Sequence, residues 1–134
     1  MESAIPTMNN NIINDEEITL INNKCQEYEN EIEEIMTNNE GDLINVWEHY
    51  LNFLSKNVNK GLIEESRYKK LLETCCISLQ DYDNFKNNKQ YLMFWIRFAE
   101  NREDPTEIFL HLNNMKIGLN LALFYKAWSI VLET

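Results

Sequence analysis

The sequence predicts an all-α fold of about six helices, and three observations carry that expectation. Gly and Pro are scarce, at 3 and 2 in 134 residues, whereas sandwiches and barrels need frequent turn residues and nucleotide-binding loops need glycines beside phosphate. Apolar residues recur at steps of three and four over long stretches, and no convincing strand pattern interrupts them. Hydrophobic content of 44%, with 11% aromatic, is enough for the packed core of one domain.

Residues 1–13, with Pro6 and the run Asn9-Asn10-Asn11, read as a disordered leader. Residues 14–41 read as an acidic helix that packs on the rest. Asn14 or Asp15 can cap it, Glu16 and Glu17 suit the positive end of its dipole, and Ile18, Ile21, Cys25, Tyr28, Ile32 and Ile35 form its apolar stripe. The next helix, Asp42 to Lys56, carries Leu43, Val46, Trp47, Tyr50, Leu51 and Leu54, and "NVNKG" breaks it. A third, from Glu64 to Leu79, has Tyr68, Leu71, Leu72, Cys75 and Leu79 on one side. "DYDNFKNNK" is a polar loop with Tyr82 and Phe85 tucked in. "QYLMFWIRFAE" falls in a helix from Lys89 to Arg102. "DPTE" opens the fifth, with Asp104 at N-cap, Pro105 at N1 and Glu107 at N3 of a capping box. That helix carries Ile108, Phe109 and Leu112 and ends near Met115. Gly118 marks the following turn. The last helix runs from Asn120 to the end, with Leu121, Phe124, Tyr125, Trp128 and Leu132 inward. Short loops favour antiparallel neighbours.

Charge and cysteine usage narrow the function classes. The net charge of −10 sits in residues 1–42, which hold 11 carboxylates and one lysine, while residues 43–134 are balanced at 11 and 11. An acidic chain repels phosphate backbones, so nucleic-acid binding is disfavoured. The acidic third is a solvated helix face or, on a sharper reading, an arm that steers a basic partner. Three cysteines without a signal peptide or glycosylation sequon point to an intracellular, reducing compartment with structural thiols. No apolar run is long enough to span a membrane, and Arg97 alone inside "QYLMFWIRFAE" does not make an interfacial helix. His49 and His111 lie far apart without ligand spacing, so no metal is expected. The adjacent Cys75 and Cys76 fit no nucleophile or redox motif. The Glu31, Glu33 and Glu34 carboxylates lie on a wet helix face. No catalytic residues and no cofactor are expected.

Three helices share one pattern: Trp47/Tyr50, Trp95/Phe98 and Tyr125/Trp128, each an aromatic pair three residues apart. The helices between them lack it. Marked helices alternating with unmarked ones are the signature of TPR-type helical hairpins, each burying its face on the next. The TPR-like fragment W-x2-F-A stands at Trp95, Phe98 and Ala99. The helix that carries it is apolar over more than half its circumference, which points to an exposed apolar strip beyond one core face. Trp47 and Trp128 read as core; for Trp95 and Phe98 a core role and a partner-facing role both remain open.

The blocks "VWEHY", "LLETC", "YLMFWIRFAE", "DPTEIFLHL" and "IGLNLALFYKAW", in order over residues 42–134, resemble the N-terminal homology domain of the Bub-family spindle-checkpoint proteins, a mitotic checkpoint kinase and its BubR/Mad-type pseudokinase relative. There are departures: Asn87-Asn88-Lys89 stands for the family's Asn-Asp-Pro, Lys116-Ile117-Gly118 stands for Gly-Ile-Gly, and the family continues with a further helix where the third repeat here is incomplete. The resemblance implies a TPR-like α-solenoid that binds a short helical motif of the large kinetochore scaffold of the Knl/Blinkin type, placing the chain at kinetochores in the nucleus. It implies partner contacts at Trp95, Phe98, Asn101, Ala127 and Val131. Asn101 is polar where the family has an apolar contact. The small Ala127 and the lack of a Lys-Glu-Asn degron lean towards the kinase type. The competing reading is a TPR/HAT-type structural scaffold in another complex, such as RNA processing.

Overall fold

In a computed structural model of the chain, the backbone is described for residues 4–133 and the side chains for residues 15–132. The elements are α1 (Ala4–Asn38), α2 (Leu43–Asn59), α3 (Glu65–Ser78), a 3-10 turn (Asp83–Phe85), α4 (Lys89–Glu100), α5 (Pro105–Met115) and α6 (Ala122–Glu133). No strand occurs among the described residues. About six helices were expected and six are found among the described residues. The backbone of α1 is helical from Ala4, upstream of the expected start near Asp15; the side chains of the expected leader, residues 1–13, lie outside the described residues.

Helix starts follow local chemistry. Asp42 Oδ1 accepts from the Asn45 backbone N–H at 3.0 Å, capping α2, and Asn88 Oδ1 accepts from the Tyr91 N–H at 2.9 Å, capping α4. The capping box expected at α5 does not form. Asp104 occupies N-cap and Pro105 N1, but the Asp104 side chain makes no capping bond. Glu107 turns instead to Arg102, at 3.6 Å. The helix start then rests on the proline, whose fixed φ favours the first turn.

The chain divides into two compact units, residues 1–68 and 69–134, and the division falls within α3. In the first unit the acidic α1 packs on α2. Ile21, Cys25 and Ile32 of α1 are buried, as are Val46, Trp47, Tyr50, Leu51 and Leu54 of α2. Tyr28 stacks on Tyr50 with centroids 5.2 Å apart, and the Tyr50 hydroxyl donates to Glu29 Oε2 at 2.6 Å. So one carboxylate of the acidic helix, though Glu29 is exposed, satisfies the hydroxyl of a buried tyrosine. Ile18, expected in the stripe, is exposed; the buried stripe begins at Ile21.

In the second unit α4 is the central helix. It packs on α5 and α6, and the Tyr91 hydroxyl donates to the Cys76 carbonyl of α3 at 2.7 Å. Phe85 of the 3-10 turn meets the Tyr91 ring at 6.3 Å. Tyr82, expected to be tucked in, is exposed, and Phe85 is half-buried. The turn between α5 and α6 closes on the same helix. Gly118 has φ +80°, and a Cβ there would lie 2.9 Å from Leu92 Cδ1, a fully buried side chain. The segment before α4 is tied to this turn three times: Gly118 N–H to the Lys86 carbonyl at 2.6 Å, Asn120 N–H to Asn87 Oδ1 at 3.1 Å, and Lys86 Nζ to the Met115 carbonyl at 3.0 Å. The last places a cation at the negative end of α5.

Two predictions follow from this packing. Gly118→Ala adds both backbone strain and a clash with Leu92, so it should lower unfolding free energy by roughly 1–3 kcal/mol in urea titrations. The thiols of Cys25, Cys75 and Cys76 and the phenols of Tyr50 and Tyr91 are all pushed up from their ordinary values, with burial the leading cause. A raised folded-state value means that the unfolded chain ionises first as pH rises. Stability is therefore full below the ordinary thiol range and declines above about pH 9, readable as a denaturation midpoint that is flat near neutrality and then falls.

Candidate partner-binding groove

The expected apolar strip on α4 is not left open within this chain. Tyr91, Leu92, Phe94, Trp95, Ile96, Phe98 and Ala99 are all buried. Trp95 is 2% exposed and Phe98 8%. The width of the apolar face is used internally, because α3, the 3-10 turn, α5, α6 and the Gly118 turn together surround the helix. Trp95 contacts Tyr91, Phe98 and His111, with centroids 6.4, 5.9 and 5.3 Å away. His111 Nε2 lies 3.0 Å from Gln80 Oε1. The Phe98 ring carries the Arg102 guanidinium at 5.5 Å, a cation–π contact at the edge of the buried cluster.

The opposite outcome holds at α6. Of the residues expected to face inward, only Phe124 is fully buried; Leu121 and Trp128 are half-buried, and Tyr125 and Leu132 are exposed. Phe124 and Trp128 meet Phe109 of α5 with centroids 5.9 and 6.2 Å away. Trp47 is buried as expected. The indole N–H groups of Trp47 and Trp128 are buried without a hydrogen-bond partner among the described residues, and the Trp95 ring stands edge-on to Tyr91.

Beside Trp128, α4, α5 and α6 enclose a groove of about 200 Å³. Ile96, Ala99 and Glu100 line it from α4, and Pro105 and Phe109 from α5. Ala127, Ile130 and Val131 line it from α6, and Arg102 sits at the α4–α5 junction. Two of the five expected contact residues, Ala127 and Val131, thus share one wall. Trp95 and Phe98 lie in the core next to the groove rather than on its lining. Asn101 is the C-cap of α4, exposed, with Nδ2 donating to the Arg97 carbonyl at 2.9 Å. Its polar side chain completes the helix end. Ile96, Ala99 and Ile130 were missed; Ile130 is 58% exposed. The signal for them was the spacing of a second face, Ile96/Ala99 on α4 and Ala127/Ile130/Val131 on α6, at steps of three and four.

The groove offers apolar surface with one anionic and one cationic side chain at its rim. Among the described residues no group of three His, Cys, Asp or Glu could hold a metal, and no helix is long and apolar enough to cross a membrane. The geometry is that of helical hairpins with one apolar groove between α4, α5 and α6.

The family model for Mad3/BUB1 homology region 1 matches residues 23–134, and the chain belongs to that family. It is similar to the mitotic checkpoint serine/threonine-protein kinase BUB1 beta of Mus musculus, 30% identical over 88 residues, covering 66% of this chain and 8% of that protein. The mitotic spindle checkpoint component mad3 of Schizosaccharomyces pombe is 26% identical over 93 residues, covering 69% of this chain and 30% of that protein. The chain therefore spans under a third of either relative. The crystal structure of the conserved N-terminal domain of the mitotic checkpoint component BUB1 superposes with a TM-score of 0.74 at 23% identity, covering 88% of this chain and 61% of that one. The fold is the TPR-like one of that domain, and these residues contain no kinase catalytic domain.

The burial of Trp95 separates core from surface. Trp95→Ala should cost about 3–5 kcal/mol and lower the thermal midpoint. Ala127→Ser, on the half-buried groove wall, should change stability by less than about 0.5 kcal/mol in the same melt.

Proposed function

We propose that the groove between α4, α5 and α6 receives a short amphipathic helix from the large kinetochore scaffold, and that this contact recruits the parent checkpoint protein to kinetochores in the nucleus. The observation that carries the reading is the convergence of Ala127 and Val131 with Ile96, Ala99 and the exposed Ile130 on one apolar concavity. A helix laid into such a groove buries its apolar anchors, and a few of them supply most of the energy. The small Ala127 leaves room for a bulky anchor. Ala127, Ile130 and Val131 make the contact, Trp95 and Phe98 hold α4 in place from beneath, and Asn101 with Arg102 frames the rim. Membership of the checkpoint family supports the choice of partner.

The test is titration of a fluorescent peptide carrying the scaffold's helical motif into the domain. Saturable binding is expected, and its absence at about 100 µM would remove the partner assignment. Ala127→Glu sets a charge on the apolar wall and should weaken binding by at least about tenfold with unchanged far-UV circular dichroism. An unchanged affinity would move the contact elsewhere on the domain.

A further inference from the structure

The first unit carries a second groove, of about 480 Å³, between α1 and the turn that joins α2 to α3. Glu17, Leu20 and Ile21 form its α1 wall, and Asn57, Lys60 and Leu62 the other. Leu20 is 67% exposed, the largest exposure of a big apolar side chain among the described residues. It also lines an adjoining hollow with Asp15, Glu16 and Thr19. A lone exposed leucine is ordinary on a protein surface. This one stands where two concavities meet, beside Ile21 and the half-buried Leu62.

The electrostatics of the α1 wall select the occupant. From residue 15 to residue 38 the helix has eight carboxylates and one lysine. That lysine, Lys24, is engaged with Glu27 at 3.5 Å and with the Tyr28 ring. Among the described residues no cation pairs with Asp15, Glu16 or Glu17. Glu17 lines this groove and Asp15 and Glu16 line the hollow beside it, so a ligand that brings cations gains and one that brings anions loses. That rules against phosphate-bearing and anionic-lipid surfaces. The apolar centre at Leu20 rules against a purely ionic contact. The α1 wall lies upstream of residues 23–134, the part matched to the family, while Asn57, Lys60 and Leu62 of the other wall fall within it.

We propose that this groove docks a basic amphipathic protein segment, one large apolar side chain against Leu20 and Leu62 and Lys or Arg residues against Asp15, Glu16 and Glu17. Lys60 on the facing wall sets polarity: the segment presents its cations to α1 and a carbonyl or carboxylate to the α2–α3 turn.

The test uses the whole chain and three synthetic helical peptides, followed by methyl and amide NMR. One peptide has leucine and lysine on opposite faces, the second replaces each lysine with glutamate, and the third replaces each leucine with serine. The leucine/lysine peptide should shift the signals of Leu20, Ile21 and Leu62, while the other two bind at least about tenfold more weakly. Leu20→Ser, at an exposed position, should keep the fold and weaken binding by about the same factor. Joint Glu16→Gln and Glu17→Gln should weaken it and flatten its salt dependence. Equal binding of the serine/lysine peptide would reduce the contact to charge attraction and overturn the proposal. Shifts confined to Ile96, Ala127 and Ile130 would also overturn it, without touching the scaffold reading.

Discussion

Encirclement of α4 is the constraint on which the second unit depends. A helix with apolar residues on more than half its circumference cannot be served by a single neighbour. Here α3 covers it at Tyr91, α5 at Trp95, and the α5–α6 turn at Leu92. Each cover is itself fixed by α4: Gly118 is required where the turn approaches Leu92, and Asn88 caps the helix so that Tyr91 and Trp95 arrive in register. The groove inherits its shape from this arrangement. Ile96 and Ala99 form its floor because Trp95 and Phe98, one step round the helix, are held in the core. The buried core rings and the groove lining thus occupy neighbouring faces of one helix.

Much of the fold was legible in the sequence because it depends on local chemistry. Asp42 and Asn88 stand just before periodic apolar runs and both cap their helices; Pro105 opens α5; Gly118 marks a turn and has positive φ. The six helices and the burial of Trp47, Tyr50, Leu72 and Leu112 follow from the 3.6-residue period. What the period does not contain is the number of neighbours a helix has. The breadth of the α4 face pointed to an open strip, but the surplus aromatics are consumed by a third and fourth neighbour. The same gap worked in reverse at α6, where Tyr125 and Leu132 lie on an apolar side that the described residues leave uncovered. The capping box at Asp104 is replaced by two separate arrangements: Asp104 makes no capping bond, and Glu107 pairs with Arg102.

For the candidate site, Ala127 and Val131 came from family resemblance and were joined by geometry to Ile96, Ala99 and Ile130, whose spacing marks a second apolar face without saying which neighbours leave it open. Asn101 illustrates a different loss. A polar residue stands where the resemblance implies an apolar contact, and its amide completes the end of α4. The position answers to the helix terminus before it answers to a partner.

The ties between the segment at 86–87 and the turn at 118–120 also bear on the order of events in folding. Most contacts in a stack of hairpins are close in sequence, so helices can pair soon after they form. This brace closes a loop across the whole of α4 and α5, and its loop-closure entropy is offset only when both helices already stand side by side. It therefore acts as a late checkpoint on the hairpin: a misaligned α4–α5 pair would leave the Lys86 carbonyl and Asn87 amide without their partners.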